Sequence, residues 1–128
     1  MINPTWEADG LRWVRARATW AQWVTLAELP SAGAVEALDG PPPGEDAYYA
    51  WAWEDAEAGT IRSRFFASEY GIVEDEATGL AAVLITDRLG RDLEIRQGRG
   101  SRLSTRLGPD GTVELGGRVV LDEVRRYG

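Results

Sequence analysis

Three consecutive carboxylates, Glu74, Asp75 and Glu76, stand directly before Ala77-Thr78-Gly79-Leu80-Ala81-Ala82-Val83-Leu84-Ile85, an apolar run that reads as a helix. A helix starts with backbone N–H groups that lack intrahelical acceptors and with the positive end of its dipole, so this junction suits an anion. Two roles fit Asp75. It is an acid–base or substrate-orienting carboxylate, or it is a cap that accepts backbone N–H bonds and stabilises the dipole by about 0.3–1 kcal/mol. Carboxylates held by N–H donors are poor proton donors near neutral pH, which favours the cap for a lone aspartate. The backbone of Thr78, Gly79 and Leu80 is the better candidate for ligand contact, with capping by Asp75 or Thr78 as the alternative. Gln97 and Ser104 are candidates for lining a cleft, or ordinary polar residues of strands. Glu74 and Glu76 read as solvated.

The rest of the composition narrows the chemistry. There is no cysteine and no histidine, so disulfides, thiolate nucleophiles, zinc–thiolate sites and imidazole bases are excluded, and no metal site is expected. Acid–base work must fall to carboxylates, tyrosine or backbone. The net charge is -7, and all 14 basic residues are arginines scattered along the chain, which argues against a nucleic-acid partner. No segment approaches the ~20 apolar residues of a membrane span, and the first residues resemble no signal peptide, so the chain reads as cytoplasmic. Its 128 residues, 44% hydrophobic and 27% charged, suit a single domain over 1–128.

These residues need elements to position them. Alternation predicts a strand from Leu11 to Ala18 and a short one around Trp23 to Leu26. Ser31 is the expected N-cap of a helix that carries Val35 and Leu38 and closes at Asp39-Gly40; the three prolines that follow make a loop. Tyr48 to Trp53 and Ile61 to Ala67 suit an antiparallel hairpin. The helix from about Ala77 to Leu89 has no polar face for more than a turn and must be surrounded by protein, ending at Gly90. Strands are expected at Asp92 to Gln97, Ser101 to Leu107 and Thr112 to Leu121, the last two joined by a Gly108-Pro109-Asp110-Gly111 turn. Gly98, Gly100, Gly116 and Gly117 suggest bulges or bends in a curved sheet. Trp6, Trp13, Trp20, Trp23, Trp51 and Trp53 read as packing residues, with a protein interface as the alternative.

Arg64-Phe65-Phe66-Ala67, Gly71-Ile72, Glu74-Asp75, Ala77-Thr78-Gly79, Ala81-Ala82, Ile95-Arg96-Gln97-Gly98, Arg102 with Ser104, and Val113-Glu114-Leu115-Gly116-Gly117 resemble the C-terminal half of the PhzF-like phenazine-biosynthesis isomerase family, in order and spacing. The match covers residues 61 to 120. It implies an α+β, diaminopimelate-epimerase-like half-domain: a curved, mostly antiparallel sheet or barrel wrapped around a central buried helix. Family members move a proton on a small carboxylate-bearing substrate without a cofactor, in a cleft between two such halves. Asp75 matches the family aspartate that contacts the substrate and assists proton transfer, and Gly79 matches a glycine whose N–H faces the substrate. The principal catalytic glutamate belongs to the N-terminal half, which has no counterpart here. Leu80 replaces the family serine, Glu76 a proline, and Ser101-Arg102-Leu103-Ser104 the family's Gly-Arg-Pro-Ser.

Two functions of different class follow. The first is an isomerase or epimerase half-domain that completes its cleft by pairing as a homodimer or with a separately encoded N-terminal half. In a homodimer two Asp75 carboxylates would meet and split their pKa values, keeping one protonated. The second is a non-catalytic domain that binds a small carboxylate or a protein partner through the same helix end.

Overall fold

The structure, a computed structural model, describes residues 5–45, 47–67, 72–75 and 79–117, with backbone only at residues 67 and 72–75. Strand β1 (Thr5–Ala8) turns into β2 (Leu11–Arg17) through Asp9 and Gly10, both at positive φ (55° and 76°). This two-residue turn has the twist that antiparallel strands require. A 3-10 turn (Ala18–Ala21) leads to β3 (Thr25–Glu28), α1 (Ala32–Glu36), β4 (Tyr48–Asp55), β5 (Thr60–Ala67), β6 (Ile72–Asp75) and α2 (Gly79–Leu89). Three strands close the described chain: β7 (Leu93–Gln97), β8 (Ser101–Leu107) and β9 (Thr112–Gly117). The positions expected to extend the last strand to Leu121 lie outside the described residues.

The nine strands form one mixed sheet in the order β1-β2-β9-β8-β7-β5-β4-β3, with β6 also on β5. Only β3–β4 and β5–β7 are parallel. The sheet ends at two separate edges, β1 and β3, so among the described residues it is open and the barrel alternative is not formed. One face carries Val14, Ala16, Tyr49, Trp51, Ile61, Phe65, Leu93, Ile95, Leu103, Val113 and Leu115, which form a core cluster with α2. On β5, strand alternation places Arg62 and Arg64 on the opposite face, where α1 packs.

Every residue of α2 from Gly79 to Thr86 is buried. Leu80, Val83, Leu84 and Ile85 each contribute roughly 1.5–3 kcal/mol by leaving water, which explains a helix with no polar stripe there. Polarity returns at exposed Asp87 and Arg88, and Gly90 (φ 66°) donates its N–H to the Thr86 carbonyl at 2.9 Å as the expected C-terminal stop. Thr86 Oγ1 lies 2.8 Å from the Ala82 carbonyl and 2.6 Å from Thr105 Oγ1. With one proton each, Thr86 donates to Ala82 and Thr105 donates to Thr86. Thr86→Val should therefore destabilise by about 1–3 kcal/mol, because buried Thr105 keeps only a 3.4 Å contact to the Leu93 carbonyl. Adding Thr105→Val should recover part of that loss in urea titrations.

Two local expectations need correction. Helix α1 ends at Glu36 rather than beyond Leu38, because Arg64 Nη1 donates to the carbonyls of Val35, Glu36 and Leu38 and closes the turn early. Its start is as expected, with Ser31 Oγ accepting from the Ala34 N–H at 3.1 Å. Gly116 is no bulge: β9 keeps its register with both β2 and β8 there. Instead Gly116 makes room for Trp13, since a Cβ at residue 116 would lie 2.7 Å from the indole ring. Trp13 is fully buried, its Nε1 donates to the Ala8 carbonyl at 2.9 Å, and the Arg106 guanidinium caps its ring at 4.2 Å.

Candidate functional site

Strand β5 is shared. Its first half, Thr60 to Ser63, pairs with β7, and its last residues pair with β6, Phe65 with Asp75 and Ala67 with Ile72. The sheet thus forks at Arg64. Ser63 is opposite Gln97 and Phe65 is opposite Asp75, so the register sets the backbones of Gln97 and Asp75 on either side of the fork, two positions apart along β5. Helix α2 begins four residues after Asp75, at Gly79. Thr78 lies outside the described residues.

The other predicted site residues separate. Leu80 is fully buried in the core cluster, so only its backbone can meet a ligand. Gln97 is buried on the face that carries Ile95, Leu93 and α2. Ser104 sits on the opposite face of β8 from buried Leu103 and Thr105, and its hydroxyl donates to Glu94 at 2.8 Å. Ser104 is therefore not gathered with Gln97: the two point to opposite sides of one sheet. Strand parity carries this distinction, once the two strands are known to pair Glu94 with Ser104 and Gln97 with Ser101.

Sequence reasoning missed two hydroxyls beside Gln97. Tyr49 and Ser63 are fully buried on the same face and lie side by side, yet neither reaches a well-aligned hydrogen bond among the described residues. Burial pushes the Tyr49 phenol well above its ordinary range, against smaller opposing effects of the Ser63 hydroxyl and the Arg62 charge, so it stays protonated. The signal in the sequence was the alternation Tyr49, Trp51, Trp53, which assigns the phenol to the same side as the two indoles. Trp51 and Trp53 do pack edge to face at 5.5 Å.

The polar outer face was also missed. Glu36 accepts from Arg62 Nε and Arg96 Nη1, both at 3.2 Å, and Arg96 also pairs with Glu54. Hydrogen bonds from Arg62 and then Arg96 hold the Glu36 carboxyl below its usual value. The described residues contain no cluster of acidic side chains suited to a metal ion, and no described helix is long and apolar enough to cross a membrane.

With the strand order, the fork and the buried helix established, comparison with solved structures is decisive for the architecture. A phenazine-biosynthesis PhzC/PhzF protein from Clostridium difficile superposes with a TM-score of 0.67 over 91% of this chain, at 15% identity. The fold is that of PhzF proteins. A PhzF-family phenazine-biosynthesis protein from Enterococcus faecalis agrees, with a TM-score of 0.58 over 88% of this chain at 18% identity. The chain spans 57% and 56% of those two PhzF chains. No protein-family model matches the sequence. The PhzF likeness reaches well beyond residues 61 to 120, so it takes in described residues of the first sixty, a stretch that carries no family motif.

Proposed function

We propose that this chain is a PhzF-type half-domain, built on a sheet that curves around α2, which transfers a proton on a small carboxylate substrate without a cofactor when paired with a second half. The second half is another copy of the chain or a separately encoded N-terminal half. The fork at Arg64 carries this reading, since the strand register sets the backbones of Asp75 and Gln97 two positions apart along β5, with the Gly79 helix start four residues after Asp75. Asp75 is the acid–base group, and the N–H groups of Thr78, Gly79 and Leu80 receive the substrate carboxylate. The chain spans 57% and 56% of the two similar PhzF chains, which supports a cleft that needs more than this one domain.

The test is solvent deuterium incorporation into a panel of small amino and hydroxy carboxylic acids, followed by NMR alongside light scattering. Exchange by a dimer, lost in Asp75→Asn at unchanged dimerisation, is the expected result. A strictly monomeric protein that exchanges nothing and gains no activity with an N-terminal half overturns it. The second reading, a non-catalytic carboxylate-binding domain, is favoured by one observation: the side chain at the family's serine position is a core leucine. Saturable carboxylate binding without exchange selects it.

A further inference from the structure

Tyr49 and Ser63 put two hydroxyl groups into the apolar core, on the sheet face that packs against α2. The strand register sets them in one row with Gln97. Ser63 stands between Trp51 of β4 and Gln97 of β7, and Tyr49, paired with Phe65, is the next residue of β4 on that face. Such a diagonal step is within reach of an aromatic side chain, and the Ser63 hydroxyl does lie beside the phenol. Tyr49, Ser63 and Gln97 are all fully buried, and around them Trp51, Ile61, Phe65 and Ile95 belong to the core cluster. Among the described residues neither hydroxyl makes a well-aligned hydrogen bond, to the other or to any third group. A buried hydroxyl left in that state is destabilising, and Phe and Ala would fill the same positions without the penalty.

We infer that Tyr49 and Ser63 bind one internal water molecule, which Gln97 helps to hold. Each hydroxyl has one proton to give and lone pairs to receive, and burial keeps the phenol protonated. The Gln97 amide has two donor hydrogens and an oxygen with two lone pairs, so it can add a contact whatever else it engages. Water both donates and accepts, as this row requires, and it is small enough to be enclosed. Buried waters characteristically make about three hydrogen bonds to polar groups that the chain itself does not satisfy. The place matters for the fold, because Ser63 is the last residue of β5 in register with β7, one position before the fork. The water joins β4, β5 and β7 where that register ends. The site does not depend on the proposed proton transfer, in which neither hydroxyl has a role.

The experiment is oxygen-17 magnetic relaxation dispersion of water with the full chain, run beside urea titrations of the same samples. Tyr49→Phe and Ser63→Val, whose methyl groups fill the space, should each lose the dispersion amplitude of one long-lived water. Tyr49→Phe should also lower the urea midpoint by roughly 0.3–1 M, because it removes a hydrogen bond that the water completes. In the double variant the two losses should overlap, since both remove the same molecule. Unchanged amplitude in folded Tyr49→Phe, even with a lowered midpoint, means that the hydroxyls hold each other directly and overturns the inference. A midpoint that stays or rises in Tyr49→Phe overturns it too, because the phenol then had no partner to lose.

Discussion

Leu80→Ser, which restores the residue type that the PhzF motif carries at this position, should lower stability by about 3–5 kcal/mol in urea or thermal unfolding. The side chain is fully buried in the first turn of α2, within the main cluster. Truncation removes about as much buried apolar surface as a leucine-to-alanine change and adds a hydroxyl with no water to meet it. A domain of this size has about 5–15 kcal/mol to lose, so the variant should lie near its unfolding threshold. If Leu80→Ser is as stable as the parent, the helix start is solvent-accessible and the account of the core is wrong.

Trp13→Ala should cost about 3–5 kcal/mol, and Gly116→Ala about 1–3 kcal/mol. The two act on one contact, because the indole occupies the space that residue 116 leaves empty. Trp13→Ala should therefore make Gly116→Ala nearly neutral, so the double variant should be more stable than the sum of single losses implies. Strictly additive losses in the cycle would show that glycine is needed there for some other reason. Arg106 lies over the same ring while pairing with Asp9 at 2.7 Å, so the indole is enclosed from both sides.

The parts that were legible in the sequence were those fixed by neighbours along the chain. The apolar run from Leu80 announces a surrounded helix, Gly90 its end, Ser31 a helix start, and Gly108 to Gly111 a turn, because each rests on local backbone and side-chain preferences. The Asp9-Gly10 hairpin belongs to the same class, since an Asp-Gly pair between strands is itself a local hairpin signal. What local preference does not encode is which strands meet. The parallel pairing of β5 with β7, the insertion of β9 between β2 and β8, and the fork at Arg64 depend on side chains far apart in sequence fitting together. Gly116 was misjudged for that reason: its neighbour Trp13 lies on a strand from the opposite end of the chain. The same applies to Ser104, whose orientation depends on pairing with Glu94, and to Arg64, which shortens α1 from across the sheet.

The placement of β9 has a consequence for how the molecule is made. Arg15 of β2 meets Glu114 of β9 at 2.6 Å, across 99 residues of sequence. At synthesis rates of about 5–20 residues per second, the first hairpin waits roughly 5–20 s on the ribosome for its permanent neighbour. Throughout that interval Val14 and Ala16 have no final cover and the inner edge of β2 has open donors and acceptors, an invitation to foreign strands. A sheet whose neighbours are this far apart in sequence assembles slowly, and the nascent hairpin needs shelter until β9 arrives.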